Sequence, residues 1–309
     1  MKYNWFESAS PPSRVLLMLG FMVVCVIFGF VVSLIFAIPI FHMGITEIMN
    51  SASDIKNMAN VQLLKYLQIF QATAFFIIPA LAMPIFWGEK PSNYLQLNKK
   101  PNCYLVFIAV CLIAAAIPFI NFTELLNSKM KLPEFMSGIE QWMKNSEENA
   151  GVLSENFLKV TSIGGLLVNL IMMAVLPAIG EELVFRGVFQ RVFTEWFKNY
   201  HWGIIASAAL FSAFHMQFYG FIPRMLLGLS FGYMLVWSGN IWIPILAHFV
   251  NNAFGVIYYY LFYKGMVTDN LQTIGTMKDG VTLAIISLVL STGLMFVFLK
   301  YSKNKTRIH

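Results

Sequence analysis

The chain has 309 residues, 58% of them hydrophobic and only 12% charged, with 21 basic and 15 acidic side chains and a net charge of +6. Soluble domains carry about 25% charged residues, so a water-soluble fold is excluded, because too few charges are available to cover its surface. The composition is that of an integral membrane protein. Cys25, Cys103 and Cys111 all lie in apolar runs; they read as small core residues and suggest no disulfide framework.

Taken in order, the first apolar run, near 15–40, is too long for the core of a cleaved signal and reads as a retained span. Runs near 62–87, 103–120, 161–185, 202–219, 221–238, 241–263 and 281–300 bring the predicted spans to eight. Pro118 interrupts the third and Pro177 lies in the fourth. Proline is tolerated there only where a neighbouring group satisfies the carbonyl it frees. With the N-terminus in the cytoplasm, the inside holds 12 of the 21 basic residues against five acids, Glu7, Glu89, Glu181, Glu182 and Glu195. That bias, strongest in the tail K-Y-S-K-N-K-T-R, predicts both termini to be cytoplasmic. The tail reads as a stop signal, with contact to anionic headgroups as the alternative.

The one long connection, roughly 121–160, repeats Leu132, Phe135, Met136, Ile139, Trp142 and Met143 near helical spacing. This predicts an amphipathic interfacial helix, either a plain surface helix or a lid that handles substrate. No soluble domain, repeat or low-complexity segment is visible. The expected fold is an all-α membrane bundle of about eight spans with a polar intramembrane cavity.

The cavity is predicted from side chains that lipid does not tolerate. G-E-E-L-V-F-R-G, Gly180–Gly187, follows directly on an apolar run. A charge near the bilayer centre costs roughly 2.5–3.5 kcal/mol on insertion scales. Glu182 and Arg186, four residues apart on a helix, can pair. Glu181 is turned about 100° away and must find partners on other helices. His215 ends F-S-A-F-H in the fifth span, and His248 and Asn252 share one face of the seventh. Singly, each reads as interhelical glue or an edge ion pair. Together, on three spans, they point to one pocket of Glu181, His215, His248 and Asn252.

Two chemistries fit that set. A partly desolvated carboxylate is a general base near neutral pH; with a histidine it can activate water, while a second histidine and an amide donate to an oxyanion. Alternatively, Glu181, His215 and His248 are a Zn²⁺ ligand set with an open position. Neither H-E-x-x-H nor G-x-S-x-G is present, so two familiar hydrolase templates are not met. Gly228 and Gly232 form a G-x-x-x-G pair that permits close helix approach, and Gly187 reads as a packing position of the same kind. Arg224 reads as an interface anchor, with binding of a substrate carboxylate as the alternative.

In order and on successive spans, E-E-L-V-F-R-G, F-S-A-F-H and H-F-V-N-N resemble the CAAX-protease and bacteriocin-processing family of intramembrane proteases; the likeness covers roughly residues 160–255. It divides the chain into N-terminal spans with the amphipathic loop (1–158), a catalytic core (159–263), and a last span with basic tail (264–309). The resemblance implies that Glu181 activates water, Glu182 and Arg186 support it, His215 assists it, and His248 and Asn252 serve the oxyanion or, in metal-based accounts, partly the metal. A cavity opening toward the cytoplasm is expected. The partners implied are a peptide or membrane-protein substrate and lipids, with no nucleic acid. A non-enzymatic immunity or scaffold protein of the same fold, and a proton-coupled transporter, are the other classes.

Overall fold

The computed structural model describes residues 8–268, 274–276 and 280–306, with side chains up to Lys303. Lys2, Glu7 and Arg307, which enter the charge count, lie outside the described residues, as does the side chain of Lys305. Among the described residues the fold is carried by the longer helices α1 (Pro11–Phe41), α2 (Ile45–Ser53), α3 (Met58–Phe86), α4 (Cys103–Ser128), α5 (Ser137–Leu158), α6 (Ile163–Phe197), α7 (Tyr200–Phe214), α8 (Phe221–Ser238), α9 (Trp242–Tyr263) and α10 (Gly280–Thr306). Among the described residues there is no strand. Among the described residues seven helices, all of these but α2, α5 and α7, are long and apolar enough to cross a membrane. This is a multi-pass membrane protein.

Local chemistry starts the helices where the chain turns back. Asn102 caps α4 by accepting from the amides of Tyr104 and Leu105 (2.9 and 3.3 Å). Ser162 caps α6 through Gly165 N (3.1 Å), and Asn199 caps α7 through His201 N (2.8 Å). These side chains satisfy amides that have no partner in the first turn. Pro118 does not end α4, which runs on to Ser128. Ser287 of α10 splints the break: its hydroxyl accepts from Phe119 N at 3.2 Å and donates to Ala115 O.

Cross-contacts sort the chain ends to two faces. Arg14 meets Glu195, Lys99 meets Gly239, Asn240 meets Lys100, and Tyr104 meets Tyr301. Asn127 meets Phe218, Trp142 meets Phe218, and Asn121 meets Ile274 at the other end. The alternation gives eight traverses once α7 is included, with the start of α1 and the end of α10 on one face. α7 has 15 residues and rises about 22 Å at 1.5 Å each, short of a hydrocarbon core of about 30 Å. Its C-terminal end therefore stops below the far membrane surface.

The main core surrounds α6, where Leu183, Val184, Phe185, Val188 and Phe189 pack against Met18 and Met22 of α1 and Met83 of α3. A second core joins α4, α8, α9 and α10 through Leu112, Phe231, Met234, Ala247 and Phe298. α1 instead exposes Leu16, Val23, Ile27 and Phe28, apolar side chains suited to lipid. The predicted amphipathic helix is α5. Its C-terminal end is tied down by Lys65 of α3, whose Nζ donates to Phe157 O (2.9 Å) and to Asn169 Oδ1 (2.7 Å). Asn169 Nδ2 donates to the same Phe157 carbonyl at 2.7 Å, so two of the three donors of a buried lysine find acceptors in one local network without a carboxylate.

Candidate active site

α6 is not a regular helix. It widens into π-helical turns at Ile171–Val175 and again at Glu182–Phe189. Such turns often occur at functional sites; the first lies just before Pro177 and the second begins inside the E-E motif. Proline has no amide hydrogen, and in a regular helix its partner would be the carbonyl four residues back, that of Met173. Asn252 of α9 supplies the donor instead, with Nδ2 3.2 Å from Met173 O. Its Oδ1 accepts from Asn251 Nδ2 at 3.1 Å. One amide hydrogen of Asn252 is thus spent on a structural carbonyl, and the side chain still lines the cavity described next.

A cavity of about 370 Å³ brings Glu181, His215, His248 and Asn252 onto one wall system. Glu182 and Arg186 lie behind it, 0% and 1% exposed, with Arg186 Nη1 3.0 Å from Glu182 Oε1. The sequence paired these two but did not reveal that Glu182 has a second partner. His248 Nδ1 lies 2.9 Å from the same Oε1, so Glu182 bridges a guanidinium and an imidazole. The other nitrogen of that ring, Nε2, faces Glu181 Oε2 at 3.8 Å. Phe231 stacks on the imidazole (5.1 Å, 17°), and Phe211 meets it edge-on (6.1 Å). Arg186 lies over both rings, 4.5 Å from Phe211 and 5.4 Å from Phe231, which spreads its charge over two π faces.

His215 sits at the end of the short α7, and its Nδ1 is 2.9 Å from Phe211 O. A carbonyl only accepts, so Nδ1 carries the hydrogen and the neutral ring keeps its lone pair at Nε2. Among the described residues no ion pair joins His215 to Glu181; the imidazole nearest that carboxylate is His248. Sequence spacing could not have revealed this exchange of neighbours, because it depends on how α9 docks on α6. Arg224 also lines the cavity and donates to Gln217 O (2.9 Å) and to Gln217 Oε1. Gln68 of α3 and Leu153, Ser154 and Phe157 of α5 complete the wall; nothing in their sequence context marks them.

Glu181, His215 and His248, the zinc set suggested by residue type, are not gathered as ligands. Among the described residues no group of three or more His, Cys, Asp or Glu side chains comes together to hold a metal ion. His248 Nδ1 is committed to Glu182 and His215 Nδ1 to a backbone carbonyl.

The cavity is walled by α5, on the face opposite the start of α1. α6 runs on to Phe197, so Glu181, Glu182 and Arg186, counted in the sequence as charges near a span end, are buried in its middle.

The small residues explain how α8 comes so close to α6. Arg186 Nη2 donates to Gly228 O and Gln190 Nε2 to Gly232 O, each at 3.2 Å. Two polar side chains four apart on α6 therefore meet two carbonyls four apart on α8. A Cβ at Gly232 would lie 2.7 Å from Ile204 Cγ2 and 2.8 Å from Gln190 Oε1.

Residues 163–254 match the family profile described as type II CAAX prenyl endopeptidase Rce1-like. This stretch is similar to an Rce1-like domain. It contains all six polar residues singled out above and runs from the start of α6 to the middle of α9. YpbD of Bacillus subtilis (strain 168), described as an uncharacterized protein, is 26% identical to this chain over 119 residues, which is 37% of this chain and 56% of YpbD. The match thus spans little more than half of that relative. No solved structure matches the chain.

Proposed function

We propose that the protein is an intramembrane endopeptidase that cleaves a peptide bond of a membrane-associated substrate with water activated by Glu181. The observation that carries this reading is the pairing of Glu181 with a histidine already held by a second carboxylate. Glu182 accepts from His248 Nδ1, which orients the ring and leaves the lone pair of the neutral imidazole at Nε2. Nε2 and Glu181 Oε2, 3.8 Å apart, are both acceptors while the ring is neutral. A water about 2.8 Å from each can donate to both, leaving a lone pair directed at substrate.

In this mechanism Glu181 takes the proton of the attacking water and passes it to the leaving amine. The free hydrogen of Asn252 Nδ2 donates to the developing oxyanion. His215, with its lone pair at Nε2, holds the substrate's amide N–H or a second water. Arg186 neutralises Glu182 so that Glu181 is the unneutralised acid of the pair. α5 closes the cavity from one side, which favours a substrate-handling role for it over that of a plain surface helix. The substrate is a peptide reached from within the bilayer or its interface.

The test is cleavage of a fluorogenic peptide library by purified protein, for wild type and Glu181→Gln, each with and without a chelator. Loss of cleavage in the variant alone supports water activation by Glu181. Full cleavage by the variant refutes it, and function in cells without cleavage in either protein favours the scaffold reading.

A further inference from the structure

A second cavity, of about 540 Å³, lies at the opposite end of the bundle from α5. Its charged walls are Arg14 of α1 and Arg191 and Glu195 of α6. Arg14 pairs with Glu195 at 3.1 Å and lies 5.4 Å over the Trp87 ring. Arg191 lies 4.9 Å over the Tyr94 ring, and among the described residues no carboxylate is within 4 Å of it. Lys99 stands at the rim, where its Nζ donates to Gly239 O at 2.9 Å. Among the described residues, Glu195 and Glu89 are the acids acting on Tyr94, and Glu89 is the one acting on Arg191. Tyr94 stays a neutral phenol, since burial pushes its pKa up to about 12.

The depth of the cavity is marked by aromatic side chains. Trp196, Phe197, Tyr200 and Trp202 are exposed around the turn between α6 and α7, the pattern of a headgroup-level belt. An apolar groove of about 500 Å³ runs along α1 and α3 from Ser13 and Phe86 past Leu17, Gly20 and Val24. Ser13 and Phe86 are the chain neighbours of Arg14 and Trp87, which form the cation–π pair beside the charged cavity. From residue 13 to 24 the groove extends about 16 Å at 1.5 Å per residue, a run suited to an acyl chain. Charge at headgroup depth next to an apolar track of that length matches an amphiphile.

We propose that this end of the bundle binds one anionic phospholipid, its phosphodiester against Arg14 and Arg191 and one acyl chain in the α1/α3 groove. The site is separate from the catalytic cavity, which shares no lining residue with it. Basic side chains near the membrane surface each contribute about fivefold to binding of anionic lipid.

The test uses the full chain in detergent micelles doped with dioleoyl phosphatidylglycerol or dioleoyl phosphatidylcholine, with bound lipid counted by native mass spectrometry. Wild type should retain the glycerol lipid over the choline lipid. Arg191→Gln should lower retention about fivefold and Arg14→Gln/Arg191→Gln about 25-fold, while Arg191→Lys keeps most of it. Gly20→Phe should also lower retention by filling the groove; a Cβ at Gly20 meets nothing within 4 Å, so the fold accommodates it. Equal retention of the two lipids overturns the proposal. So does displacement by free glycerol phosphate with no effect of Gly20→Phe, which would mark a site for a soluble anion.

Discussion

Asn252 holds two jobs, and a double-mutant cycle with Pro177 separates them. Asn252→Ala removes the donor to Met173 O, 3.2 Å away, and leaves a carbonyl that Pro177 cannot satisfy. A fully buried acceptor left unsatisfied costs about 1–3 kcal/mol; this bond is part-buried, so denaturant unfolding in micelles should register a loss toward the lower end of that range. Pro177→Ala returns an amide hydrogen to the helix, and in the Asn252→Ala background it should recover most of the lost stability. The two changes are then coupled by about 1–2 kcal/mol, as expected for groups sharing one partner. Cleavage should behave differently. Loss of an oxyanion donor costs about 10²–10³ in rate, and restoring the helix restores no donor to the cavity. The double variant should thus be stable and still slow. If it regains cleavage together with stability, Asn252 is structural only, and the oxyanion assignment is wrong.

Glu181→Gln should cut cleavage by about 10²–10⁴-fold with little change in unfolding, because Glu181 edges the cavity while Glu182 is sealed in; steady-state rates beside denaturant titration check both. Glu182→Gln should instead destabilise by about 3–5 kcal/mol, since it leaves Arg186 buried without its counter-charge; the same titration reads this, and a neutral outcome would mean that Arg186 finds another acceptor. Gly232→Ala should cost about 1–3 kcal/mol through overpacking against Ile204 and Gln190, with Gly228→Ala milder because its nearest contact is 3.1 Å. In a cysteine-free background, Ser154→Cys and Lys99→Cys should label with a membrane-impermeant maleimide from opposite sides; labelling from one side would refute the topology of eight traverses.

Period and composition were enough for the parts of this protein that depend on the solvent. Lipid requires apolar runs of a set length, so the spans were legible, and it penalises charge, so Glu181, Glu182, Arg186, His215, His248 and Asn252 stood out before any contact was known. Helical spacing also gave the Glu182–Arg186 pair, since four residues along one helix is a local distance. What tertiary structure alone decided is everything set by how helices dock. Glu182 reaches His248 across α6 and α9, Asn252 meets the carbonyl that Pro177 leaves open, Ser287 splints Pro118, and α5 folds over the cavity on the face opposite the N-terminus. None of these contacts has a sequence period, because each joins residues tens to more than a hundred positions apart through the packing of separate helices.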